Sequence, residues 1–193
     1  MKKLVFATHN NHKLHEIQEI LGTSYQVVGL NELGFNEEIP ETADTLEGNA
    51  EIKANYIYEK LGIDCFSDDT GLEIDALQGA PGVYSARFAG EHFTFQDNMN
   101  KVLQLLEGVA NRKARFRSVI CLILKGEKYF FEGKIEGKII DIQRGTDGFG
   151  YDPIFIPDGF TETFAEMSLE TKNNISHRGI ATQKLTAFLQ KIQ

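Results

Sequence analysis

The sequence predicts an α/β fold, a mixed twisted β-sheet flanked by helices, and three observations carry that expectation. Short apolar runs alternate with helix-period segments through the first half of the chain. Two β-rich runs, 114–124 and 129–135, then follow one another across Lys125-Gly126-Glu127-Lys128, and the tail returns to helical spacing. Alternation alone would give a parallel sheet, but a hairpin within it makes the sheet mixed. At 193 residues, with 41% hydrophobic and 25% charged, the chain fits a single domain over 1–193 that buries its own core, opening into two lobes.

Taken in order, residues 4–7 read as a buried strand. Thr8-His9-Asn10-Asn11 then supplies caps for a helix over 12–21. Residues 26–30 form a second strand, and 31–45 are polar and irregular. Thr45 caps a helix whose apolar positions Leu46, Ala50, Ala54, Ile57 and Leu61 hold helical spacing until Gly62. Cys65-Phe66 is a strand, and Leu72 to Ile74 resumes after a tight polar turn. Thr94 caps a helix with the stripe Met99, Val102, Leu103 and Leu106, closed by Gly108. In the tail, Ser176 caps a helix with Ala181, Leu185, Phe188 and Ile192 on one face.

The formal net charge is −8. A protein that follows a nucleic-acid backbone needs a basic face, so nucleic acid is not an expected partner. A small phosphate ligand remains open if cations converge locally, with carboxylates nearby to hold a metal. The longest apolar run, 119–124, cannot span a bilayer, so no membrane partner is expected. The opening Met1-Lys2-Lys3 leads into only four apolar residues, which is no signal-peptide core. Cys65 and Cys121 lie in apolar runs without metal-type spacing and read as reduced core thiols. These features point to the cytoplasm.

Five stretches carry chemistry. Thr8, Asn10 and Lys13 at a strand-to-helix junction can aim donors at an anion, though a capped helix with a solvated lysine fits as well. Asn49 and Lys53 fall beside the core-facing stripe of their helix, where an ammonium must snorkel, pair or bind a ligand. Asp68 and Asp69 follow an apolar strand, so one can face a cleft while the other braces the turn. Glu41 is a candidate second metal ligand, since two carboxylates with waters and phosphates suit Mg²⁺. An Asp-Asp-Thr-Gly turn without a ligand is the alternative. Residues 145–153 interleave glycines with Phe149 and Tyr151, either of which could stack on a planar ligand or simply pack. His177 and Arg178 open the last helix, against its dipole unless an anion or acceptor compensates, with Lys172 just upstream.

In this order the stretches resemble the purine nucleoside triphosphate pyrophosphatases of the inosine triphosphatase, or Ham1-like, family. The matching segments are Ala7-Thr8-His9-Asn10-Asn11-His12-Lys13, Glu41-Thr42, Asn49-Ala50 with Lys53-Ala54, Ser67-Asp68-Asp69-Thr70-Gly71-Leu72, 79–87, 148–155 and Ser176-His177-Arg178-Gly179. The resemblance implies an elongated two-lobed molecule with a nucleotide cleft between the lobes, usually a homodimer. It implies hydrolysis of ITP, dITP and XTP to monophosphate and pyrophosphate, clearing them from the nucleotide pool. Thr8, His9, Asn10, Asn11, His12 and Lys13 would hold the triphosphate, with Lys53 assisting. Asp69 would be the general base and a Mg²⁺ ligand, with Glu41 as the second ligand. Thr70 would touch the substrate. Phe149, Gly150, Tyr151 and Asp152 would line the base and ribose pocket. Lys172, His177 and Arg178 would read the base edge. Asp-Asp-Thr-Gly stands here where Asp-Asp-Ser-Gly is common, keeping the hydroxyl. A Maf-like pyrophosphatase for modified pyrimidine nucleotides and a non-catalytic nucleotide-binding protein are the alternatives.

Overall fold

The computed structural model describes residues 2–90, 92 and 94–192. Among these, six strands and five α-helices run in the order β1 (Lys2–Phe6), α1 (Asn11–Leu21), β2 (Tyr25–Gly29), α2 (Leu46–Leu61), β3 (Cys65–Ile74), α3 (Phe95–Leu105), β4 (Lys113–Leu124), β5 (Glu127–Ile139), β6 (Phe155–Pro157), α4 (Leu169–Ile175) and α5 (His177–Lys191). The strands form one sheet in the order β2-β1-β3-β4-β5-β6. β1 pairs in parallel with β2 and β3, while β5 and β6 are antiparallel. The sheet is therefore mixed, as the hairpin in the sequence predicts. Its turn is Lys125-Gly126, with φ of 53° and 84°, a pair of positive values whose twist matches that of the flanking strands. With only two residues in the turn, β5 begins at Glu127, earlier than the apolar pattern suggests.

The chain forms two compact units, one of residues up to Asp69 with Ser118–Gly133 and from His177, the other of Thr70–Arg117 with Lys134–Ser176. In the first unit the two-residue period of strands sorts the side chains onto two faces. Leu4, Phe6 and Phe66 pack with Ile17 and Leu21 of α1 and with Ala181, Leu185 and Leu189 of α5. Val5, Ala7 and Cys65 turn the other way, onto Ile57 of α2 and Leu30. The Phe6 and Phe66 rings stack at 4.4 Å between centroids and 7° between planes. Cys65 and Cys121 are free and buried, and desolvation pushes both thiols up to about 12, so they stay protonated in the core.

The second unit closes around Leu72, Ile74, Met99, Val102, Phe116, Phe155 and Phe164. Phe116 meets Phe155 edge-on at 4.8 Å. α3 starts at Thr94, whose hydroxyl accepts from the Asp97 amide while Asp97 accepts from the Thr94 amide, a reciprocal cap.

Two expectations are corrected, and one helix has no counterpart in the sequence pattern. Residues 68–71 form no turn, because β3 runs unbroken from Cys65 to Ile74. Polar residues there suggest a break, but ion pairs satisfy the two acids and let the strand continue. α4 was not expected, being only seven residues long, too short for a periodic signal. Ile192 is 48% exposed and stands beyond α5, while Leu189 takes the buried position on that face. Ser176 adopts φ −70° and ψ 157° directly before α5, the extended conformation of an N-cap.

Candidate active site

In the first unit, β3 presents its acids to opposite faces. Cys65, Ser67 and Asp69 alternate toward α2, and Ser67 donates to the Ala50 carbonyl there. Phe66 and Asp68 turn toward α1 and α5. Lys13 of α1 donates to Asp68 Oδ1 at 2.7 Å, and Arg178 Nε of α5 donates to Asp68 Oδ2 at 3.4 Å. The Arg178 Nη1 nitrogen also donates to Glu16. Each of Asp68, Arg178 and Glu16 is at most 5% exposed. Burial disfavours the Asp68 carboxylate, but Lys13, Arg178 and Lys53 outweigh it and hold its pKa well below the usual range. Desolvation pulls Lys13 below the ordinary lysine value despite Asp68.

On the α2 side, Lys53 Nζ lies 2.8 Å from Asp69 Oδ1 and 2.6 Å from Glu41 Oε1. Burial works against this ammonium, but Asp69, Glu41 and Asp68 together raise its pKa. Asp69 behaves oppositely to its neighbour. Desolvation is its largest influence, and the lysines do not fully cancel it, so its pKa is raised. Asn49 Nδ2 donates to Asp69 Oδ2 at 3.3 Å. The sequence places Asn49 and Lys53 beside the core stripe of α2, and both are buried.

The α1 entry is built by its own side chains. Asn10 Oδ1 accepts from the His12 and Lys13 amides at 2.9 and 3.2 Å, and Thr8 Oγ1 accepts from the Asn10 amide at 3.1 Å. Asn11 opens the helix. His9 is exposed, its Nδ1 2.9 Å from Asn31 Oδ1 and its Nε2 3.2 Å from the Glu37 carbonyl. His9 thus braces the irregular segment after β2, where the resemblance implies a phosphate contact.

The second unit carries the other group of expected residues. Thr70 is half-buried in β3. Asp152 Oδ2 accepts from the Phe149 amide at 2.8 Å and from Lys172 Nζ at 2.7 Å. That ammonium also stands 5.4 Å from the Phe149 ring centroid. Tyr151 is 4% exposed, packs in the core, and donates its hydroxyl to the Ser85 carbonyl at 2.8 Å. Burial raises the pKa of its phenol. Phe149 and Gly150 are half-buried, and Gly150 has φ 65°. Of the two aromatics, Phe149 is the less buried, its ring 6.1 Å from that of Phe95, and Tyr151 supports the turn. His177 is buried at the start of α5, its carbonyl pressed so closely on Gly133 that a Cβ there would clash.

Sequence reasoning does not single out Glu16, and it places Asn49 beside the buried stripe of α2 without naming its partner. The signal for Glu16 was its place one turn after Lys13, beside the buried Ile17. No group of three or more His, Cys, Asp or Glu side chains gathers to hold a metal among the described residues. Likewise no described helix is long and apolar enough to cross a membrane.

The sequence profile of the Ham1 family matches residues 4–188. The dITP/XTP pyrophosphatase of Porphyromonas gingivalis is 56% identical over 190 residues, covering 98% of each chain. That of Flavobacterium johnsoniae is 54% identical over 187 residues, covering 97% of each. The solved structure of a HAM1 protein from Coxiella burnetii superposes with a TM-score of 0.90 at 38% identity, covering 99% of this chain and 100% of that one.

Proposed function

The chain belongs to the Ham1 family, and from that premise we propose that it hydrolyses ITP, dITP and XTP to the monophosphate and pyrophosphate. The observation that carries the reading is the pair Asp68 and Asp69, which β3 presents to different partners, Lys13 and Arg178 for the first and Lys53 and Asn49 for the second, and whose pKa values are shifted in opposite directions. Two adjacent carboxylates pushed in opposite directions mark a division of labour. Asp68 stays ionised and holds Lys13 and Arg178. Asp69 is the better proton acceptor and serves as general base.

The cluster around these acids contains Lys13, Lys53 and Arg178 against Glu16, Glu41, Asp68 and Asp69. Three cations against four carboxylates leave no positive surplus to attract a triphosphate. Glu41 and Asp69 already share one cation, the Lys53 ammonium, which brings one oxygen of each to the same nitrogen. Two carboxylates with substrate oxygens suffice for Mg²⁺, and the donor set fits. When bound, Mg²⁺ would be held by Glu41 and Asp69, neutralising phosphate charge and acidifying water.

The remaining chemistry belongs to side chains. Lys13 and Lys53, with Thr8 and the α1 N-terminal residues Asn10, Asn11 and His12, bind the phosphate oxygens and orient the α-phosphorus. Asp69 takes a proton from water as its oxygen bonds to the α-phosphorus. The bond from that phosphorus to the bridging oxygen breaks, and pyrophosphate leaves. Thr70 contacts the substrate. Phe149 stacks on the purine, backed by Gly150, Tyr151 and Asp152. Lys172 and His177 meet the base edge, where a C6 carbonyl accepts what an adenine amine would repel. Arg178 contributes with its orientation fixed by Asp68 and Glu16. The protein acts in the cytoplasm as a homodimer on this reading.

Pyrophosphate release from ITP, XTP, dITP, GTP and ATP with Mg²⁺ tests it. Wild type should favour the first three, and Asp69→Asn should lose on the order of 10²–10⁴ in rate. Equal turnover of all five would overturn the account of selectivity. Turnover in ¹⁸O-water should label the monophosphate; label confined to pyrophosphate would overturn attack at the α-phosphorus.

A further inference from the structure

Asn49 is fully buried in α2, one turn before Lys53, and a buried amide needs both ends satisfied. Its ends reach two different parts of the chain. Oδ1 accepts from the Ala43 backbone amide at 2.9 Å, and Nδ2 donates to Asp69 Oδ2 at 3.3 Å. The partners fix which end is which, because a backbone N–H only donates and a carboxylate only accepts. Ala43 lies two residues after Glu41, in a stretch without regular secondary structure. Upstream, Tyr56 and Lys60 hold that stretch by donating to Glu37 at 2.7 and 3.0 Å. Downstream, the Asn49 amide ties it to the strand that carries Asp69.

Resting on the function read above, we propose that Asn49 is a positioning residue that locks the Glu41 segment to Asp69, so that the two carboxylates are presented together to one divalent cation. Asn49 itself touches neither the cation nor the substrate. Lys53 also joins Glu41 to Asp69, but an ammonium is a non-directional link on a flexible stem. The amide is rigid and directional, and it fixes backbone on one side and a carboxylate oxygen on the other.

Amide hydrogen exchange tests the lock in the wild type. Ala43 should exchange about tenfold or more slowly than Thr42 and Asp44; exchange as fast as theirs would overturn the proposal. Mn²⁺ binding, read by water-proton relaxation without substrate, tests its purpose. Asn49→Ala should weaken Mn²⁺ binding by about 10–100-fold, the usual effect of losing a group that orients a metal ligand, and should lower kcat. Ala43→Pro removes the donor without altering a buried side chain and should weaken Mn²⁺ binding while sparing kcat at saturating metal. Asn49→Ala with a lower Tm but unchanged Mn²⁺ affinity would reduce the residue to a packing role and overturn the proposal. If Asn49→Ala does not fold, unchanged Mn²⁺ affinity in Ala43→Pro overturns it, as does absence of Mn²⁺ binding by the wild type. A wild type that binds Mn²⁺ but releases no pyrophosphate would defeat the functional reading alone.

Discussion

Asp68 and Asp69 are neighbours in β3 held by different helices, Asp68 by Lys13 of α1 and Asp69 by Lys53 of α2. The pKa of the first is lowered and that of the second raised. For Asp68 the folded value lies below the unfolded one of about 3.9. Its ion pairs therefore stabilise the fold fully above about pH 4, and that contribution is lost as pH falls through the folded pKa. Asp69 acts in reverse, favouring the fold when protonated and losing that favour as pH rises through its folded value. Tm measured from pH 7 down to pH 3 should fall steeply below about pH 4 in wild type and less steeply in Asp68→Asn. Equal slopes would show that Asp68 is not a principal source of acid lability.

Lys53 pairs with two carboxylates at once, Glu41 and Asp69. Replacing it by Met leaves Asp69 buried without its ammonium, which costs on the order of 3–5 kcal/mol. Thermal unfolding should show that loss, and Mg²⁺ should recover part of the Tm in Lys53→Met by more than it raises wild type. A mutant indifferent to Mg²⁺ would argue against cation exchange at this point.

Phe149 and Tyr151 should separate cleanly. Phe149→Ala should raise KM for ITP with little change in Tm, because the ring is only half-buried. Tyr151→Phe deletes the bond to the Ser85 carbonyl and should cost about 1 kcal/mol of stability while leaving KM near wild type. Steady-state kinetics beside calorimetry would expose a reversal of these roles.

Gly133→Ala places a methyl group against the His177 carbonyl and the Ala181 amide. Backbone cannot yield as a flexible side chain does, so the substitution should cost about 1–3 kcal/mol and lower Tm by about 2–10 °C. A neutral substitution would mean that the start of α5 can shift without penalty.

Much of this arrangement is legible in the residues themselves. Thr45 and Gly62 bound α2 as the cap rules require, and helical spacing puts Lys53 on the buried side. The acids at 68 and 69 misled because a polar tetrad reads as a turn. Only the partners from α1, α2 and α5 make a continuous strand affordable there, and they lie 55, 16 and 110 residues away. Local spacing carries no trace of such pairings. Tyr151 and Phe149 look interchangeable in sequence for the same reason, until Ser85 claims the hydroxyl of one of them.

The two-residue period of β3 also sets what length changes the chain can absorb. Removing one residue between Cys65 and Asp68 would turn every later side chain over, delivering Asp68 to Lys53 and Asp69 to Arg178. The irregular stretch after β2 has no such parity, and residues can be added before Glu37 without exchanging any partner. Heritable insertions and deletions should thus be confined to the loops on either side of β3, where a frame of one residue has no meaning for the acids.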